Sequence, residues 1–150
     1  MSLLEKIAED MKVALKGGQQ FRLDTLRTLR AALLEKQVEK RPSGGMTADD
    51  EMQVLISASK KRKESITVFS ENNRPELAAQ ESRELEIIQE YLPQQLSADD
   101  VAKVVRTAIE TAGATSAKDF GKVMPLVMKE LKGKADGKLI QDTVKQLLGA

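Results

Sequence analysis

Residues 131–139, LKGKADGKL, set two glycines and three lysines between two segments of helical character. Two folds compete for this stretch. Glycine beside lysine holds phosphate in a Walker-type loop, which demands a preceding strand and so an α/β chain. The same residues also end one helix and begin the next. The loop pattern G-x-x-x-x-G-K-[ST] fails three times here. Gly133 and Gly137 are only four apart, Leu139 stands at the Ser/Thr position, and no strand precedes. As a corner, Gly133 reads as the left-handed residue closing a helix. Asp136 reads as the N-cap of the next helix, its carboxylate satisfying amide donors there. The stretch is a helix–helix corner, and that role leaves its lysines unexplained.

Upstream, a helix is expected from about Ser116 to Leu131. On a wheel, Phe120, Met124, Val127, Met128 and Leu131 share one apolar arc. Lys118, Lys122, Pro125, Lys129 and Lys132 share the opposite side, which leads on to Lys134 and Lys138. Between Lys118 and Lys138 six basic residues face three acidic ones, whereas residues 1–92 hold fifteen and sixteen. Pro125 removes one helical hydrogen bond at a cost of roughly 3 kcal/mol unless the helix bends, so a kink away from the core is expected. Downstream, Leu139, Ile140, Val144, Leu147 and Leu148 mark a final helix.

The rest of the chain is helical in pattern too. Ser2 caps a helix carrying Leu4, Ile7, Met11 and Ala14, which Gly17-Gly18 ends. A second helix, about Gln19 to Lys40, carries Leu23, Leu26, Leu29 and Leu33 on one stripe, and RPSGG (41–45) is a loop. Thr47 and Asp50 have capping-box spacing before a third helix with Met52, Leu55, Ile56, Ser59 and Ile66. Pro75 suits the first turn of a fourth helix, with Leu77, Leu85, Ile88 and Leu92. Pro93 halts it. Ser97 with Asp100 then opens a fifth helix bearing Val101, Val104, Val105, Ala108 and Ile109 up to Gly113. The expectation is an all-α chain: an N-terminal bundle of long helices (1–92), a linker (93–96) and a three-helix C-terminal domain (97–150).

Composition narrows the function. The chain has 150 residues, 41% hydrophobic and 31% charged, with a net charge of +1. It has no Cys and no His, which removes thiol and imidazole catalysis, disulfides and Cys/His zinc sites. No metal or cofactor is expected. No apolar run is long enough to span a membrane, and the N-terminus lacks an apolar leader core, so a cytoplasmic protein is the expectation. With only 3% aromatic residues, base stacking on single strands is a poor prospect.

Several stretches together resemble the YqeY family over essentially the whole chain: RLDTLRTLRAAL, KKRKESITVFSENNRPELAAQESRELEIIQEYLPQQLS and GKVMPLVMKELKGKADGKLI. The C-terminal domain of that family is similar to the tail domain of the GatB subunit of glutamine-dependent aminoacyl-tRNA amidotransferases, which helps hold tRNA by its outer elbow. The resemblance implies two helical domains joined near YLPQQLS. Residue by residue, Gly121, Lys122, Gly133, Lys134, Ala135 and Asp136 match the shared motif. Pro125 departs from it, where the family more commonly has Gly.

From this follow three functional expectations. Foremost is a non-catalytic accessory module that binds tRNA or a tRNA-containing complex. Lys118, Lys122, Lys129, Lys132, Lys134 and Lys138 would meet phosphates, with Lys122 and Lys134 foremost, while Gly121, Gly133, Asp136 and Gly137 shape the motif. Second is a protein-interaction adaptor whose N-terminal helices present a groove to a partner. Least favoured is carbon–nitrogen ligase activity, since the resemblance reaches neither catalytic part of an amidotransferase. Lys60, Lys61, Arg62 and Lys63 form a secondary basic cluster. On the wheel Lys61 points outward, Lys63 falls in the apolar arc and Arg62 at its edge. Asp49-Asp50 and Asp99-Asp100 read as first-turn acids favoured by the helix dipole.

Overall fold

A computed structural model of the chain describes residues 1–149. The fold is all-α. In order come α1 (Leu3–Lys16), α2 (Gln20–Lys40), α3 (Ala48–Glu71), α4 (Pro75–Gln89), α5 (Ala98–Ala112), α6 (Phe120–Leu131) and α7 (Gly137–Leu147). Only α2 and α3 are long, at 21 and 24 residues; α1 and α4, at 14 and 15, do not exceed α5, at 15. The caps explain where helices start. Ser2 Oγ accepts from the Glu5 amide at 3.2 Å, and the Glu5 carboxylate accepts from the Ser2 amide at 2.8 Å. Thr47 and Asp50 do the same at 3.1 and 2.9 Å. RPSGG begins as a 3-10 turn over Arg41–Ser43 before Gly44 and Gly45 leave it with positive φ.

The described chain divides into two compact units, Met1–Leu92 and a second beginning at Pro93. In the first, Ile7, Leu26, Leu29, Leu33, Val54, Leu55 and Ile88 form the core. Helix α2 packs against α1, α3 and α4, so it is buried on more than one side. Even Thr25 lies 4% exposed, its hydroxyl satisfied by the Phe21 carbonyl at 3.1 Å.

In the second unit α5, α6 and α7 each pack on the other two. Val101, Val105, Val123, Val127, Leu131, Ile140 and Val144 fill the centre. Helix α6 starts later than its sequence pattern suggests. Ala117–Asp119 is a 3-10 turn, because Ser116 and Asp119 satisfy each other's backbone donors within one tight turn. Helix α6 then runs through Pro125 without interruption. Pro125 and Gly121 are both exposed. The Gly121 carbonyl, which loses its ladder donor to the proline ring, therefore stands on the solvent side, where water can replace the bond.

Candidate nucleic-acid interface

The corner is held by backbone and by one amide side chain. Gly133 has φ +78 and is buried, a conformation that costs any L side chain about 1–2 kcal/mol. The Lys134 amide donates to the Leu131 carbonyl at 2.9 Å. Two residues of YLPQQLS then close on it. The Gln95 side-chain amide donates to the Gly133 carbonyl at 2.7 Å and to the Pro93 carbonyl at 2.8 Å. The Leu96 amide donates to the Lys134 carbonyl at 2.8 Å. Residues 93–96 are thus not a free spacer: they latch the glycine corner. Asp136 caps α7, accepting from the Lys138 amide at 3.3 Å. At Gly121 and Gly137 a Cβ would meet nothing within 4 Å, so the fold itself leaves room for a side chain there.

Lys118, Lys122, Lys129 and Lys138 are exposed; Lys132 and Lys134 are half-buried. Lys122 reaches Asp119 at 3.6 Å but keeps its side chain 72% exposed, free to swing outward. Asp119 is occupied chiefly by backbone. The Thr115 amide at 2.9 Å and the Ser116 amide at 3.4 Å hold its carboxyl below the ordinary range, with Lys122 adding to the effect. Sequence reasoning overlooked two participants. Lys145 of α7 sits 5.9 Å over the Phe120 ring at the start of α6, and Gln95 supplies the latch.

The secondary basic cluster is not brought together as one surface. Lys60 and Lys61 are exposed, Lys63 is half-buried, and Arg62 is 12% exposed beside Glu84 of α4 at 3.4 Å. Arg62, at the edge of the apolar arc, is thus drawn in beside an acid partner. Arg22 pairs with Glu90 at 2.5 Å and Arg27 with Asp24 at 3.3 Å. Nearby, Tyr91 donates to Asp10, while Lys6 lies 5.4 Å from its ring. Burial first, and that bond second, push the Tyr91 hydroxyl well above its ordinary pKa. Among the described residues no cluster of three acid, His or Cys ligands could hold a metal, and no helix is long and apolar enough to cross a membrane.

Fold and site define a class: an all-helical protein with a lysine-lined helix corner in its second compact unit. The chain belongs to the YqeY family, described as Yqey-like protein, whose model matches residues 4–148. It is 26% identical over 154 residues to a protein of Pyrenophora tritici-repentis, covering 99% of this chain and 82% of that one. A protein of Vanderwaltozyma polyspora is 30% identical over 128 residues, covering 78% and 66%. Both relatives are called altered inheritance of mitochondria protein 41, mitochondrial.

Proposed function

We propose that the second unit is a non-catalytic module that binds a folded RNA by its phosphate backbone, with tRNA or a tRNA-containing complex as target. One observation carries the reading. Of the three acids between Lys118 and Lys138, Asp119 and Asp136 are tied to backbone amides as caps, while four of the six lysines face solvent. Long exposed cations spaced along α6 and at the corner beyond its end suit phosphates, and the motif shared with the GatB tail domain favours tRNA. The cytoplasm is part of this proposal; the relatives' names make the mitochondrion the competing compartment.

The test titrates the full chain with bulk tRNA at two salt concentrations, beside a Lys122→Ala/Lys134→Ala variant. Lys134 contributes its backbone to the latch, so alanine keeps those bonds and the variant should fold. Binding should weaken steeply with salt, and the variant should lose affinity and flatten the salt slope, each lost phosphate contact removing just under one unit of it. Absence of binding at low salt would sink the proposal.

A further inference from the structure

The first unit holds a groove that RNA binding leaves unused. It opens between α2 and α3 with a volume of about 520 Å³, in the size range of specific binding sites. Leu29, Val54 and Ile88 make its floor, and Ala32 and Ala58 line it. Leu29 and Ile88 are 2% and 0% exposed, so the floor is fixed by the packed core. Alanines at its lining keep it open and let another backbone approach closely.

The rim carries charge of both signs. Lys36 is paired with Glu39 at 3.2 Å and Arg62 with Glu84 at 3.4 Å. Glu35 on α2 and Lys61 on α3 both line the groove and are exposed; Lys61 is close enough to Glu81 to act on its carboxylate. Glu35 lies five residues before the end of α2 and Lys61 thirteen after the start of α3. At 1.5 Å per residue, and with both helices meeting at the connection that joins them, the two charges stand about 12 Å apart along the groove.

We propose that this groove docks an amphipathic helix of another protein. The apolar stripe of that helix seats on Ala32 and Ala58, over the buried Leu29, Val54 and Ile88. It carries an acidic residue against Lys61 and a basic one against Glu35. The lining from Thr28 to Glu39 extends about 17 Å, three turns of helix, the length at which i, i+3, i+4 and i+7 anchors engage a groove. An alkyl carboxylate satisfies Lys61 but leaves Glu35 facing its tail; a peptide meets both.

The probe is a soluble synthetic helix of about 16 residues with a leucine stripe, basic at the end meeting Glu35 and acidic at the other, beside an isomer with the charges exchanged. Methyl NMR of the full chain follows each titration into the millimolar range. Saturable shifts confined to Leu29, Val54, Ile88, Ala32 and Ala58 are expected. The charge-exchanged isomer should bind at least about fivefold more weakly, the size of a coupling of 1 kcal/mol. Ala58→Leu should abolish binding. Lys61→Glu, at an exposed position and checked for folding by circular dichroism because it sets a further acid near Glu81, should reverse the preference between isomers. Four outcomes would overturn the proposal: no saturable shift with either peptide, equal binding of the two, the same shifts produced only by dodecanoate, or shifts that appear with protein concentration alone and so mark a second copy.

Discussion

Gly133→Ala and Gly121→Ala make the same chemical change in one small unit and should have opposite signs. At Gly133 the backbone sits at φ +78 in a buried corner. A Cβ there costs about 1–2 kcal/mol, and any backbone adjustment loosens the Gln95 bond to its carbonyl. At Gly121, early in α6, a Cβ meets nothing within 4 Å. Alanine there gains about 0.5–1 kcal/mol of helix propensity. The two variants should therefore differ by about 2 kcal/mol, roughly 8–16 °C in melting temperature for a unit this small. The chain has no Trp and two units, so a bulk optical signal would blur the effect. Amide hydrogen exchange at Val123, Val127 and Val144, all fully buried in the second unit, isolates it. Protection there should fall about 5- to 30-fold in Gly133→Ala and rise about 2- to 5-fold in Gly121→Ala. Equal protection, or loss in both, would refute the corner reasoning. A Gly121→Ala protein that is more stable yet binds tRNA less well would place the RNA backbone against that glycine.

Three further perturbations probe the first unit and the caps. Tyr91→Phe removes the hydroxyl that donates to Asp10 and should cost about 1 kcal/mol in urea denaturation; no change would mean that water replaces the bond fully. Glu84→Ala removes the carboxylate paired with Arg62, whose side chain is 12% exposed, leaving Glu81 to act on it, and should cost about 2 kcal/mol, whereas Arg62→Met/Glu84→Leu should recover most of it. A double variant as unstable as the single one would contradict this. Glu5, Asp50 and Asp119 are each held below the ordinary carboxylate range, first by a backbone hydrogen bond from Ser2, Thr47 and Thr115 respectively. Because the folded values are depressed, their stabilisation is complete above the unfolded values near pH 4 and drains away as pH falls through the folded ones. Glu81, raised by burial and by Glu84, acts in the opposite direction and offsets part of the loss. Thermal melts by circular dichroism should show stability falling below about pH 4; a flat profile down to pH 3 would contradict it.

Local chemistry made the helices readable, and distance hid the site. Ser2, Thr47, Ser97 and Asp136 cap the helices that their spacing announces, because a cap is decided within four residues. The stripe Leu23, Leu26, Leu29 and Leu33 is buried as its period implies. Gln95 left no such trace: its bond to Gly133 spans 38 residues, and Tyr91 reaches Asp10 across 81. Arg62 illustrates the same limit. A wheel of α3 places Arg62 only at the edge of the apolar arc, but α4 supplies Glu84 beside it, and that partner draws its side chain down to 12% exposed. The groove was equally silent, since Ala32 and Ala58 look like ordinary helix formers until two helices splay around them.

The lysine corner divides its labour in a way that predicts how it should fail. Lys122, with its side chain 72% exposed and 3.6 Å from Asp119, is reach without preorganisation. Gly133, Gln95 and Leu96 are position without charge. If phosphates are read by mobile cations on a fixed corner, replacing any one exposed lysine should weaken tRNA binding modestly and lower the salt slope by just under one unit. Gln95→Ala should behave differently. It removes no lysine, yet deprives the buried Gly133 carbonyl of its partner, a loss of about 1–3 kcal/mol of stability. Affinity would fall through displacement of Lys134 and Lys138, with the number of contacts made by Lys118, Lys122 and Lys129 unchanged. Salt titrations of Lys118→Ala and Gln95→Ala side by side separate the two cases. A Gln95→Ala protein with unaltered exchange protection at Val123 and Val144 would show that the latch does not hold the corner.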